Sequence, residues 1–379
     1  MTKGFVKARA REPRCGVLAA ALAAALAVAA CGTDKSSSSS TPASTAAAAA
    51  KATTQSKFPQ LKIPAGDNPA TGLGKKTIGL VIITQASEVF PQQQKAMKEA
   101  FARLGWTMKL SDLQGDISKV PAAVDNLIQS GVDAIVLQSV EPSFVGKQVA
   151  ARAKAKGVFI VGQSTGVPTA KSNGIVDAAV EAPFLPPGKE EGAAMVAAYG
   201  KGAKVAFIVD QLASTGRDGQ KGTEQGIGSA LEVVAKHQLV YAKLVPDVRS
   251  TTQQWLVQHP DLKAIWCPYD GACVGAGDAV KAAGKDVAVW SMDGTPTAFK
   301  LMREGVKYTT WAIPLDYFNW LTTDVLVSVL AKRAVDPSVE QVPTFKIDKS
   351  NAPRSGELSG SLIYGDFKSA FERRWKVSG

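Results

Sequence analysis

The stretch TIGLVII at residues 77–83, continued by TQASEVF at 84–90 and PQQQKAMKEAFARLG at 91–105, decides the architecture. Its first seven residues are an apolar run without polar alternation, the pattern of a strand buried on both faces. Pro91 then opens a segment in which Met97, Ala100, Phe101 and Leu104 recur at helical spacing, and Gly105 closes it. The unit recurs. A strand at 106–110 precedes Val120, Ala123, Val124, Leu127 and Ile128; one at 133–140 precedes Val145, Val149 and Ala153; a further strand lies at 158–162. After a loop around Pro183, Pro186 and Pro187, a second series starts with a strand at 204–210. It alternates through a helix at 220–235, a strand at 239–245, a helix at 251–258, a strand at 262–268, a helix at 272–283, a strand at 287–292 and a helix at 296–304. Strands separated by such helices imply parallel sheets with both faces covered. Two series predict an α/β chain of two doubly wound parallel-sheet lobes, whose ligand crevice lies beyond the carboxyl ends of the strands.

Upstream of that core, residues 16–30 are Ala, Leu and Val with one Gly, after five basic residues (Lys3, Lys7, Arg9, Arg11 and Arg14). Fifteen apolar residues fall short of the roughly 20 that a permanent membrane helix needs. A basic start and a small-residue end are the features of an export signal. Its ending, Val28-Ala29-Ala30-Cys31, resembles a bacterial lipobox, in which cleavage precedes the Cys and the thiol receives a lipid; a Cys following an ordinary cleavage site is the alternative. Residues 31–75 are rich in Ser, Ala, Thr, Pro and Gly and read as a flexible tether, since they hold too little apolar surface to offset their ordering.

Removing residues 1–30 takes away five basic residues and one acid, which lowers the net charge from +11 to +7. That excess is spread along the chain, and no basic run interleaved with aromatics indicates nucleic acid. About 350 residues remain, more than one core usually serves. With Cys15 in the signal and Cys31 at the cleavage site, Cys267 and Cys273 are left as a pair. In an oxidising compartment, five intervening residues including Gly271 allow a disulfide, with two buried thiols as the alternative. Neither His237 nor His259 has metal-ligand spacing to them, so no metal is expected. No nucleophile, base and acid set appears, no P-loop is present, and Gly222, Gly226 and Gly228 do not follow a strand as a dinucleotide loop would. An enzyme is not expected, nor a cofactor. Asp112, Asp116 and Asp125 are explained by capping and turn roles.

Polar and aromatic residues gather instead at strand ends. Thr84, Gln85, Ser87, Glu88 and Phe90 follow the first strand, and Gln163 and Ser164 the fourth. In the second series Asp210 and Gln211, then Tyr269 and Asp270, then Asp293, and finally Trp311 occupy such positions. Carboxylates and amides bind hydroxyls while aromatic faces stack on C–H surfaces, so the set suits a small polar ligand held between lobes.

The order of these units, with Val132-Asp133-Ala134-Ile135-Val136, His259-Pro260-Asp261, Tyr269-Asp270 and Trp290-Ser291-Met292-Asp293-Gly294-Thr295-Pro296, resembles the ribose-type substrate-binding proteins of bacterial ABC importers. The likeness runs from about residue 76 to 347. Repressors share this fold but carry an N-terminal helix-turn-helix where this chain has its export signal and tether. The resemblance implies lobes of 76–180 plus 313–340 and of 181–312 plus 341–350, joined by a three-strand hinge and closing on a small, sugar-like solute. Phe90 takes the place of a stacking aromatic and Asp293 that of a carboxylate accepting ligand hydroxyls. Gln163 and Ser164 stand where sugar binders often have Asp-Arg, Tyr269 where they often have Asn, and Ala312 replaces a polar amide beside Trp311. Loss of a bidentate Arg removes fixed hydroxyl recognition, so a less polar or aromatic-bearing ligand is the alternative; Arg217 could restore the guanidinium. The implied partners are a membrane permease, or a membrane kinase in a sensory receptor, with the membrane reached through lipid on Cys31. Residues 351–379 lie beyond the resemblance; Phe367, Phe371 and Trp375 share a helical face with Ala370, which predicts a short helix packed on a lobe.

Overall fold

The computed structural model describes residues 62–335, 341–354, 356 and 358–377. The export segment, Cys31 and the tether up to residue 61 lie outside the described residues. The first lobe runs through β1 (Thr77–Ile82), α1 (Val89–Leu104), β2 (Thr107–Asp112), α2 (Val120–Gln129), β3 (Ala134–Gln138), α3 (Lys147–Ala155), β4 (Phe159–Gln163) and β5 (Ala178–Val180). Its strands are all parallel, in the order β2-β1-β3-β4-β5. Burial of β1 and β3 on both faces explains their unbroken apolar runs, whereas β2 is an edge strand and its TMKLSD stays largely exposed.

The second lobe begins with α4 (Leu185–Tyr199), β6 (Lys204–Val209), α5 (Ser214–Ile227), β7 (Glu232–Gln238) and α6 (Leu244–Gln258). It continues with β8 (Ala264–Trp266), α7 (Asp270–Ala283), β9 (Ala288–Asp293), α8 (Pro296–Arg303) and β10 (Tyr308–Ala312). α9 (Leu315–Leu330) then returns to pack on α1, and β11 (Phe345–Ile347) joins β10 antiparallel, completing the order β11-β10-β9-β8-β6-β7. The chain thus passes between lobes after β5, after β10 and between α9 and β11. The first and third passages touch, with Val342 N donating to Glu181 O at 2.8 Å.

Gly222 and Gly226 fall on the face of α5 that meets α4. A Cβ on Gly222 would lie 2.2 Å from Leu185 O, and one on Gly226 2.3 Å from Lys189 O. These glycines let two helix backbones touch.

Four readings need correction. The loop read around Pro183, Pro186 and Pro187 gives way to α4 at Leu185, with Pro186 and Pro187 in its first turn, where the missing N–H has no helical partner to lose. The helix read at 220–235 ends at Ile227, where Gly228 turns the chain at φ 51°, and residues 232–238 form the edge strand β7. The strand read at 239–245 is a turn followed by the start of α6. An edge strand keeps polar residues on view, so EVVAKHQ lacks the apolar run that marks a central strand. Residues 62–75, read as the end of a tether, are packed on the folded part. Lys62 O accepts from the Tyr317 hydroxyl at 2.5 Å, and Asn68, only 2 % exposed, bonds Asp324 through its amide at 2.9 Å and Arg374 O through its backbone at 2.8 Å.

That strap is pinned by the tail, which adds α10 (Gly360–Tyr364) and α11 (Phe367–Trp375). Phe367, Phe371 and Trp375 are buried against α9, with Trp375 stacked on Trp320 at 5.4 Å between ring centroids. Each such side chain contributes about 1.5–3 kcal/mol. Arg374 pairs with Asp324 at 2.9 Å and caps the carbonyl of Ala65 at 2.7 Å. Cys267 and Cys273, at the β8–α7 connection, are joined as a disulfide with Cα atoms 5.6 Å apart.

Candidate functional site

A cavity lies between the lobes at the carboxyl ends of the strands. From the first lobe, β1 delivers Ile83 and Thr84, and the Thr84 hydroxyl accepts from Ala86 N at 3.1 Å to shape the turn. Ser87, Val89, Phe90 and Gln93 line it from the start of α1. Ser139 follows β3 and Ser164 follows β4. The second lobe supplies Ala213, Thr215, Tyr241, Tyr269 and Asp293, and the passages between lobes supply Phe184, Ile313, Leu315 and Phe318. Ser139, Ser164 and Asp293 hold φ of 57°, 52° and 107°. Non-glycine residues in this region are strained, and such strain concentrates at functional sites.

Asp293 is 7 % exposed and its carboxylate has no hydrogen bond among the described residues. Burial drives its pKa well above the usual carboxylate range, and the negative charges of Asp270 and Glu88 push further the same way. Asp270 is raised by burial to about 6, against hydrogen bonds that favour its ionised form. It accepts from Gly294 N at 2.8 Å, Thr295 N at 2.7 Å, the Tyr308 hydroxyl at 3.0 Å and the Ser291 hydroxyl. Asp270 therefore fixes the turn that presents Asp293. Asp210 is raised by burial and accepts from the Tyr241 hydroxyl and from Leu212 N at 3.0 Å. Ser87 and Tyr269 line the cavity, but their hydroxyl oxygens are buried, that of Ser87 pressed against Gly271 and that of Tyr269 beside Tyr241 and Asp210.

The two lobes meet around this cavity. The Thr297 hydroxyl donates to Glu88 at 2.6 Å, Arg217 pairs with Glu141 at 2.6 Å, and the Ser214 hydroxyl donates to Thr165 O. At Gly271 a Cβ would sit 2.0 Å from the Ser87 hydroxyl oxygen, so α7 and α1 approach as closely as they do only through glycine. This is a closed arrangement.

Of the residues chosen from sequence, Ser87, Phe90, Ser164, Tyr269 and Asp293 come together as lining. Five others do not. Gln85 is half-buried beside the cavity rather than in its wall. Gln163 lies behind it, in a buried amide chain: it accepts from Gln138 at 2.6 Å and donates to Asn319 at 3.1 Å and to Thr322 at 2.8 Å. Asp270 acts through the 293–295 turn. Arg217 is not the missing guanidinium, because Glu141 and the carbonyls of Gln211 and Leu212 hold it at the rim. Trp311 stacks on Trp290 at 6.3 Å, away from the cavity. Sequence reasoning missed Ser139, Thr215, Tyr241, Phe184 and Phe318. Ser139 follows a strand as Ser164 does, and Tyr241 was hidden by the misplaced β7.

The profile of the periplasmic binding protein domain matches residues 78–334. The chain is 27 % identical over 283 residues to the ribose import binding protein of Bacillus subtilis, covering 74 % of this chain and 90 % of that one. It is 24 % identical over 251 residues to a xylitol-binding protein of Mycolicibacterium smegmatis, covering 64 % and 68 %. Among solved structures, an ABC transporter periplasmic solute binding protein from Actinobacillus succinogenes with bound D-allose superposes with a TM-score of 0.64 at 20 % identity, over 73 % of this chain and 99 % of the other. One from Mycobacterium smegmatis with bound glycerol gives 0.64 at 24 % identity, over 76 % and 100 %. These likenesses show a common fold, two α/β lobes with parallel sheets and a cleft between them. With the family profile running from β1 through the end of α9, the chain belongs to the periplasmic binding protein domain family, whose members bind solutes rather than transform them.

Proposed function

We propose that the chain is the extracytoplasmic solute-binding subunit of an ABC importer, closing its lobes on a small hydroxylated solute and presenting the closed form to a membrane permease. The observation that carries this reading is the enclosed cavity at the strand ends, to which both lobes contribute and in which Asp293 is buried without a partner. Contacts that exist only when both walls meet the solute, from Phe90 on one side and Asp293 on the other, shift the open form toward the closed one. The relatives named for ribose and xylitol support a polyol-like solute. The basic, apolar and small-residue sequence ending in Cys31 supports export and a lipid anchor, which would keep the receptor beside its permease.

Calorimetric and thermal-shift screening of sugars and polyols on the purified chain tests the binding reading. Asp293→Ala is expected to weaken binding of any hit by about 10- to 100-fold, the range for a lost charged hydrogen bond. Its melting temperature should rise, since an unpartnered buried carboxylate has been removed. Unchanged affinity would sink the site assignment. For the anchor, metabolic labelling with a radioactive fatty acid should mark the wild-type chain and leave Cys31→Ala unlabelled; equal labelling rules out Cys31.

A further inference from the structure

Within the solute-binding reading, on which this step rests, we infer that the cleft selects an organic cation: a compact solute whose protonated amine meets Asp293 and whose body lies among aromatic rings. The charge inventory of the cavity points there. Its lining includes one carboxylate and no Lys, Arg or His. The groups around Asp293 add negative charge rather than balance it: Asp270 supports its turn, Glu88 faces it from the start of α1, and Tyr269 and Tyr308 are neutral phenols. Asp210 adds a further carboxyl behind Tyr241. Arg217, at the rim, is held by Glu141.

A buried ionised carboxylate without a counter-charge costs several kcal/mol. A neutral polyol supplies hydrogen bonds but no charge, whereas an ammonium supplies both. An ammonium also has three donors and no acceptor. The cavity answers with the Asp293 carboxylate, an acceptor that has no hydrogen-bond partner among the described residues. Phe90, Phe184, Tyr241, Tyr269 and Phe318 are among the lining residues, and an aromatic face stabilises a nearby cation by about 0.5–2 kcal/mol.

Two matched pairs test this by calorimetry on the purified full chain: N-methyl-D-glucamine against D-sorbitol, and 2-phenylethylamine against 2-phenylethanol. The amine of at least one pair should bind tenfold or more tightly than its neutral partner. Titration in two buffers of different ionisation enthalpy should show proton release, because the amine displaces the proton held on Asp293, and affinity should strengthen from pH 6 to pH 8. Asp293→Asn should abolish the preference while leaving the chain folded. A neutral member that binds as tightly as its amine, or a sugar from the wider screen that binds when neither amine does, overturns the cation inference and leaves the solute-binding reading standing. No binding by any probe or any member of the screen overturns both.

Discussion

Asp293 and Trp311 illustrate what a strand end does and does not disclose. Both lie at the carboxyl ends of neighbouring strands in one sheet, yet Asp293 lines the cavity and Trp311 stacks away from it on Trp290. Position along the chain sets the neighbourhood, but the alternation of side chains across a strand sets which face each one meets. Phe90, Ser87 and Asp293 were legible because each follows its strand into the crevice. Gln163 was chosen on the same ground and belongs instead to the amide chain with Gln138 and Asn319. Asp270 shows a third outcome, a polar residue that serves the site through the backbone it holds. Asp270→Ala removes the carboxylate oxygen to which the amides of Gly294 and Thr295 donate. Binding should weaken about tenfold, the equivalent of about 1.4 kcal/mol, with no ligand contact removed, as read by calorimetry. An unchanged dissociation constant would show that the turn holds itself.

At the scale of elements, central strands and amphipathic helices were readable because two-sided burial leaves an unbroken apolar run and one-sided burial a 3.6-residue stripe. β7 escaped because an edge strand needs neither. α5 escaped in part because its inner face is built from glycines, which carry no hydropathy signal at all. Their role is steric, and substitution makes it visible. Gly222→Ala places a methyl group 2.2 Å from Leu185 O, against backbone that cannot swing aside. The α4–α5 contact should open and stability fall by about 1–3 kcal/mol, the usual cost of overpacking. Gly284→Ala, just past the end of α7 at φ 59° and ψ 27°, meets open space and suffers only its left-handed backbone, so it should cost about 1 kcal/mol. Urea denaturation of the two variants compares them directly, and equal losses would refute the packing account. The tail helix α11 was legible for the opposite reason, since Phe367, Phe371 and Trp375 mark one face with large apolar side chains.

At the scale of the whole molecule, two sheets are closed over a cleft whose acids are buried without bases, and that bears on stability as well as on binding. Asp210, Asp270 and Asp293 surround the cleft, and Glu191 lies deep in the second lobe, where Trp266 Nε1 donates to its carboxylate at 2.7 Å and its other oxygen is unpartnered. Burial raises all four pKa values, that of Asp270 to about 6 and those of Glu191 and Asp293 far above the usual range. A raised acid binds its proton more tightly in the folded chain than in the unfolded one. Between the unfolded and folded values the folded state therefore holds more protons, and stability falls as pH rises through that window. For Asp270 the window runs from 3.8 to about 6 and is worth about 3 kcal/mol; for Glu191 it opens near 4.5 and extends well above. The melting temperature of the ligand-free chain should thus decrease steadily from pH 5 to pH 8. Glu191→Gln keeps an acceptor for Trp266 and carries no proton to lose, so it should flatten that slope and melt higher than wild type at pH 8. A wild-type profile that instead rises toward pH 8 would mean that these carboxyls are compensated in solution, and the uncompensated charge proposed for the cleft would fail with them.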